Sequence, residues 1–233
     1  MAAPASLPSW SSWWLQQAIG VGVVALWLAL LAAAALQLRR VSNAGDAGRR
    51  EWSRKLVHIG TGAVVPLAWL LNVDRWIAIP AAGAITVLAA VNHRQRLLPA
   101  IEDVGRHSYG TIAYGAAITL LLLTFWPDQR DAVCAGVLVM AIGDGLAGVL
   151  GALIPSPSWQ VWGQRKSLLG TATMAAASLA ALALVAAAAP AAPGIALLLV
   201  IALVATALEQ VAWLGIDNLT VPIVSAWLWS CWR

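Results

Sequence analysis

Charge is the scarcest commodity in this sequence. Only 10% of its 233 residues are Asp, Glu, Lys or Arg, against about 25% in an ordinary soluble domain. Hydrophobic residues make up 61%, and the mean hydropathy is +0.80. A chain of this length with so little polar side-chain surface cannot face water on all sides, which excludes a soluble globular enzyme and a disordered polymer alike. Cysteine is nearly missing: Cys134 and Cys231 stand far apart in apolar surroundings, so neither a disulfide framework nor a Cys-based metal site is expected. The net charge is only +4 and is gathered in short loops, so it reads as membrane topology and no nucleic-acid partner is expected. There is one Phe, there are two Tyr, and no linker or internal repeat divides the chain.

What the sequence has in quantity is apolar runs. A spanning helix needs about 20 mostly apolar residues, and runs at 18–38, 56–72, 75–92, 110–126, 131–154, 168–189 and 194–213 qualify, with a weaker one at 217–232. The expected fold is an all-α, polytopic integral membrane bundle of seven or eight transmembrane helices, forming one domain over 1–233. The first run lacks a basic leader and is followed by Arg39 and Arg40, so it reads as a stop-transfer span. With the N-terminus outside, eleven of the fourteen cationic residues fall in three inner loops: Arg39, Arg40, Arg49, Arg50, Arg54 and Lys55; Arg94, Arg96 and Arg106; Arg165 and Lys166. That bias puts these loops in the cytoplasm. Fourteen tryptophans accompany the runs. Trp10, Trp13, Trp14, Trp52, Trp76, Trp126, Trp213, Trp229 and Trp232 lie near run ends, as an aromatic belt at the headgroups requires. Trp159 and Trp162 stand beside the third basic loop, where they read as anchors or as contacts to a base or headgroup.

An ionisable group in mid-membrane costs about 2.5–3.5 kcal/mol on insertion scales, so each one asks for a reason. Glu51, Arg54, Lys55 and His58 follow at helical spacing and form one stripe, read either as a snorkelling basic flank or as part of a site. Asp144 sits in a long apolar run between Gly143 and Gly145, with Gly148 and Gly151 further along the same face. It reads as a buried structural ion pair or as a functional acid beside an open strip that a lipid tail could follow. Arg165, Lys166, Ser167, Gly170 and Thr171 precede an apolar run, which suits phosphate at a helix N-terminus. Glu209 and Asp217 are further acids at the same end of the chain's topology. Arg106, Ser108 and Tyr109 lead into the fourth span. Acids with Arg and Lys around an apolar cavity suit Mg²⁺ and polyphosphate.

Five segments in order carry a resemblance: Arg54-Lys55-Leu56-Val57-His58, Arg106-His107-Ser108-Tyr109-Gly110-Thr111, Gly143-Asp144-Gly145-Leu146-Ala147, Lys166-Ser167-x-x-Gly170-Thr171 and Gly215-Ile216-Asp217-Asn218-Leu219-Thr220-Val221-Pro222. Over about residues 50–225 the chain resembles the polyprenol kinase family of integral-membrane, CTP-using lipid kinases, and within it the phytol kinase branch of cyanobacteria and plastids. Residues 1–49 would be an extra N-terminal helix and basic loop. The resemblance implies transfer of a phosphoryl group from CTP or another nucleoside triphosphate, with Mg²⁺, to phytol or a related prenyl alcohol. It also implies a role in phytol salvage toward tocopherol, in a cyanobacterial plasma or thylakoid membrane. On this basis Arg54, Lys55, Arg165 and Lys166 are assigned to the triphosphate, with Ser167 and the amides near Gly170 and Thr171 as its cradle. Asp144 and His58 are the candidate catalytic pair, and Asp144, Glu209 and Asp217 the candidate metal ligands. Arg106, Ser108, Tyr109, Gly145, Gly148 and Asn218 are the candidate substrate neighbours. One departure is that Leu169 stands where the family usually has Glu, which leaves Glu209 or Asp217 to supply that acid.

Rival chemistries are distinguishable. A cytidylyltransferase making CDP-lipids would release pyrophosphate. A CDP-alcohol phosphotransferase needs D-G-x-x-A-R and later aspartates, whereas here Asp144-Gly145-Leu146-Ala147 is followed by Gly148-Val149 and not by that Ala-Arg. No aspartate-rich prenyltransferase segment occurs. A small proton- or ion-coupled transporter, with Asp144 and Glu209 as carriers, would need access from both faces.

Overall fold

The structure is a computed structural model that describes residues 10–40, 47–95 and 109–232. Among these residues the chain is a helical membrane bundle with one small hairpin. The helices are α1 (Trp10–Arg40), α2 (Ala47–Gly62), α3 (Val64–Leu70), α4 (Arg75–Gln95), α5 (Gly110–Phe125), α6 (Arg130–Leu138), α7 (Gly145–Leu153), α8 (Leu168–Ala188), α9 (Ile195–Val211) and α10 (Asp217–Ser230). Four segments are long and apolar enough to cross a bilayer: Ser11–Leu38, Arg75–Gln95, Arg130–Leu153 and Leu168–Ala188. Gly110–Phe125 and Ile195–Val211 are shorter apolar helices. The run expected at 56–72 is broken, because α2 ends at Gly62 and α3 starts at Val64.

The bundle is built around 130–153. Every residue from Asp131 to Ala141 is buried, and α2, α3, α5, α8, α9 and α10 pack around this segment. Small residues allow the close approach that drives packing where lipid tails are as apolar as the partner helix. A Cβ on Gly136 would lie 2.3 Å from the Pro222 carbonyl oxygen, and one on Gly62 would lie 2.3 Å from Ala141 Cβ. Between α6 and α7 the helix widens into a π turn, Val139–Asp144. Such a turn adds a residue to the helical repeat and shifts backbone carbonyls out of their usual pairing. Here Met140 O lies 3.4 Å from His58 Nε2, and Asp144 O accepts from Lys55 Nζ at 3.1 Å. Both partners come from α2.

The N-terminal helix is stitched to the rest by polar contacts. Gln17 donates to Asn72 O at 3.2 Å and accepts from Asp74 N at 2.8 Å. Trp27 Nε1 donates to Gly60 O at 2.8 Å, and Ser53 Oγ to Ala35 O at 3.1 Å. Its other face exposes Trp14, Leu15, Ile19, Leu26 and Leu30, as a lipid-facing helix should.

Two tryptophans expected in the aromatic belt are instead core residues. Trp126 and Trp229 are buried. Trp126 Nε1 donates to Val73 O at 3.1 Å, and Trp229 Nε1 to Asp131 Oδ2 at 3.0 Å. Nearness to a run end told nothing about which way the ring points, and both indoles found buried acceptors.

The loop expected between the fifth and sixth spans is a β-hairpin. Strands β1 (Ser158–Val161) and β2 (Gln164–Ser167) pair antiparallel, with Trp159 opposite Lys166, Gln160 opposite Arg165 and Val161 opposite Gln164. Trp162 and Gly163 form the two-residue turn, both with positive φ (51° and 75°), the conformation that matches the twist of a tight hairpin. A second left-handed turn, Leu214-Gly215 (φ 54° and 84°), joins α9 to α10.

Candidate active site

Of the buried and half-buried charged side chains, Lys55, Asp144, Lys166, Glu209 and Asp217 gather at one end of the bundle, while Asp131 lies at the other end of 130–153, bonded to Trp229. α2 contributes Lys55, buried along its stem, whose Nζ lies 2.8 Å from Asp144 Oδ2. α9 contributes Glu209, buried and ion-paired with Lys166 from β2; Lys166 Nζ also donates to Glu209 O at 2.8 Å. α10 begins with Asp217. One carboxylate oxygen from each of Asp144, Glu209 and Asp217 lies within 4.8 Å of the others, so three acids far apart in sequence meet around a point.

Beside them opens a cavity of about 820 Å³. The cations Arg54, Lys55, Arg165 and Lys166 line it together with the acids Asp144, Glu209 and Asp217. Gly148, Gly151, Ser167, Gly170, Thr171, Gln210 and Asn218 line the rest, and Trp162 and Trp213 stand among the lining residues of its two loops. Asn218 and Gln210 each leave one buried carbonyl oxygen without a hydrogen-bond partner, Oδ1 and Oε1. Their amide nitrogens are engaged: Gln210 donates to Thr171 Oγ1 at 2.9 Å and to Glu209 Oε2 at 2.8 Å, and Asn218 to Gly215 O at 3.3 Å. Unsatisfied buried acceptors of this kind ask for a cation or a donor. Three carboxylates meeting at one point, with two unpartnered carbonyl oxygens buried in residues that line the cavity, are hard oxygen donors, the chemistry Mg²⁺ accepts. The residues present therefore fit that ion.

Several sequence expectations change on contact with the geometry. The amides at the start of α8 are not an open cradle: Leu168 N donates to Pro157 O (2.9 Å), Leu169 N to Ser156 Oγ (3.2 Å) and Gly170 N to Ser167 Oγ (3.1 Å). Ser167 is the helix cap, and the usual orphan donors of a helix start are already satisfied. The glycine strip beyond Asp144 is not an open groove for a lipid tail either. A Cβ on Gly145 would lie 2.2 Å from Ile59, on Gly148 2.5 Å from Lys55 Cε, and on Gly151 2.9 Å from Ser167 Oγ. The strip is filled by α2 and α8, and Gly145 does not line the cavity.

His58 is not a lining residue. Its Nε2 lies 3.4 Å from Asp144 Oδ2, and its ring rests on Tyr114 with centroids 4.8 Å apart, so it backs Asp144 from inside the bundle. Tyr109 is exposed beside His93 and donates its amide to Leu214 O at 3.1 Å, which ties it to the α9–α10 turn rather than to the cavity wall. Arg106 and Ser108 lie outside the described residues. Leu169 does not line the cavity. Gln210, Gln164 and Trp213 do, although none of them stood out as a site residue in the sequence. The signal that existed was the pair of glycine turns, Trp162-Gly163 and Leu214-Gly215.

No family model and no solved structure matches the chain. Among curated proteins it is similar to a phytol kinase from Synechocystis sp. (strain ATCC 27184 / PCC 6803 / Kazusa), 38% identical over 226 residues, covering 96% of this chain and 92% of that protein. The chain belongs to the phytol kinase family. It is thus a membrane kinase with an alcohol as phosphoryl acceptor, and the polyprenol kinase resemblance stands at family level. For such an enzyme the charge pattern is coherent: cationic and carboxylate side chains, two of each joined in the pairs Lys55–Asp144 and Lys166–Glu209, line one cavity.

Proposed function

We propose that this protein phosphorylates the hydroxyl of phytol or a closely related prenyl alcohol, with CTP as donor and Mg²⁺ as counter-ion, at the cytoplasmic membrane face. The observation that carries the reading is the meeting of Arg54, Lys55, Arg165 and Lys166 with Asp144, Glu209 and Asp217 around one cavity, in a relative of a phytol kinase. Phosphoryl transfer asks the protein chiefly for positioning and charge neutralisation, and this cavity offers both.

Arg54, Arg165 and Lys166 bind the triphosphate oxygens, and Lys55, which also lines the cavity, holds Asp144. Asp144, Glu209 and Asp217 would hold Mg²⁺, aided by the carbonyl oxygens of Asn218 and Gln210; when bound, the ion neutralises phosphate charge. In place of that metal role, Asp144 would take the proton of the prenyl alcohol as the new P–O bond forms and the bond from the γ-phosphorus to the departing CDP breaks. His58 and Lys55 fix the carboxylate in place, so little of it is free to reorient. The isoprenoid tail leaves the cavity into lipid by a route other than the filled glycine strip.

The cytoplasmic placement follows from loop charge. Arg54, Lys55, Arg165 and Lys166 share the cavity end, whereas Arg130 binds Asn72 Oδ1 at 2.7 Å beyond the far end of α3. The positive-inside rule assigns the cavity end to the cytoplasm. The product would feed tocopherol and related prenyl lipids. Purified protein given labelled CTP, Mg²⁺ and a panel of phytol, geranylgeraniol, farnesol, dolichol and diacylglycerol tests the reading. Phytyl monophosphate with release of CDP supports it; release of pyrophosphate, or no labelled lipid, refutes it.

A further inference from the structure

We propose that Trp162, at the tip of the β1–β2 hairpin, is the platform on which the base of the nucleoside triphosphate stacks. The inference rests on the nucleotide reading above and adds the residue that grips the base.

Three observations converge on it. The first is backbone conformation. Trp162 occupies the first turn position with φ 51°, where glycine, asparagine and aspartate are the ordinary occupants and a bulky side chain is an outlier. The second is exposure. The indole is 71% exposed, so packing within the chain does not repay either the strained backbone or the uncovered apolar ring. Residues held in such conformations gather at ligand sites. The third is place. Trp162 lines the cavity that Arg165 and Lys166 also line, and three to four residues of strand and turn put it roughly 10 Å from Lys166 along the hairpin. That offset suits an extended nucleotide whose phosphates meet Lys166 and whose base reaches the turn. Trp159, three residues earlier on β1 and also exposed, does not line the cavity.

Aromatic stacking suits any base, because every base has a π face. Trp162 would therefore raise affinity for nucleotides in general and leave the choice of CTP to other contacts. A headgroup-level anchor is the competing role for an exposed tryptophan, and the two roles predict opposite measurements.

The test uses the full chain in lipid nanodiscs with Mg²⁺ and phytol. Trp162→Asn installs a residue the turn prefers, and Trp162→Phe keeps a smaller ring. Stacking predicts that Trp162→Asn raises KM for CTP, UTP and ATP about tenfold. KM for phytol, kcat and the inhibition constant of tripolyphosphate, which has no base, should stay within twofold, and the thermal midpoint should hold or rise. Trp162→Phe should retain most of the nucleotide affinity, and Trp159→Ala all of it. An unchanged nucleotide KM in Trp162→Asn overturns the proposal, most directly if the thermal midpoint falls as an anchor requires. An equal rise in the tripolyphosphate constant also overturns it, since the hairpin would then be distorted as a whole. Wild-type protein that transfers no phosphate from any nucleotide fails the underlying reading as well; normal wild-type turnover with an indifferent Trp162→Asn fails this inference alone.

Discussion

Lys55 reaches Asp144 because Gly148 has no side chain: a Cβ there would lie 2.5 Å from Lys55 Cε and 2.6 Å from Nζ. Those atoms are the far end of a flexible chain, so Gly148→Ala should displace the ammonium rather than the helices. Its expected signature is a fall in kcat of about tenfold or more with a thermal midpoint close to wild type, read by steady-state kinetics beside a melt in the same detergent. Asp144→Asn keeps the shape and removes the charge. Because it touches both the proposed proton transfer and the proposed metal set, it should cut turnover by roughly 10²-fold or more; near-normal turnover with CTP and phytol would remove Asp144 from the chemistry. Lys55→Met should behave differently again. It strands a largely buried carboxylate, and breaking a buried pair on one side costs about 3–5 kcal/mol, so both stability and activity should fall.

At the level of elements, the central segment 130–153 sets the geometry of everything else. Its length, about 36 Å at helical rise, exceeds the roughly 30 Å hydrocarbon core, and its π turn aims two carbonyls at α2. The packing around it relies on close backbone approach. Gly136→Ala would place Cβ 2.3 Å from the Pro222 carbonyl oxygen, which is backbone and cannot step aside. It should destabilise by about 1–3 kcal/mol through separation of α6 and α10, seen as a lowered thermal midpoint at unchanged KM for nucleotide. The contrast with Gly148→Ala is diagnostic, since one glycine makes room for a helix and the other for a reactive side chain. Ser167 is a further case. Its hydroxyl caps α8, and Ser167→Ala should cost about 1 kcal/mol of stability whether or not the hydroxyl also meets phosphate.

For the molecule as a whole, the arrangement is one-sided. The cavity's basic and acidic groups converge at one end, and the charged residues of the opposite end make structural contacts: Asp74 caps the start of α4 through Trp76 N at 2.9 Å, and Asp131 accepts from Trp229 Nε1. Sealed inverted vesicles, with the cytoplasmic face outward, should make labelled prenyl phosphate from membrane-impermeant nucleotide, and right-side-out vesicles should not until they are permeabilised. Equal labelling from both orientations would contradict the topology argued from Arg54, Lys55, Arg165 and Lys166.

Hydropathy alone was enough for the helical membrane class, because backbone polar groups in lipid must pair within a helix and the apolar runs are long. A charge inside an apolar run is costly, which singled out Asp144; Lys55, Lys166, Glu209 and Asp217 stand near run ends and gained weight only together and through the family resemblance. Direction was a different matter. Trp126 and Trp229 turned inward to buried acceptors, the glycine strip closed on Lys55 and α8, and the start of α8 spent its amides on its own cap. A linear sequence records what a residue is and how far it stands from its neighbours along the chain. Which groups face one another across the bundle depends on helix rotation and crossing, fixed by side-chain packing between segments far apart in the chain: Lys55 and Asp144 are 89 residues apart, and Asp131 and Trp229 are 98.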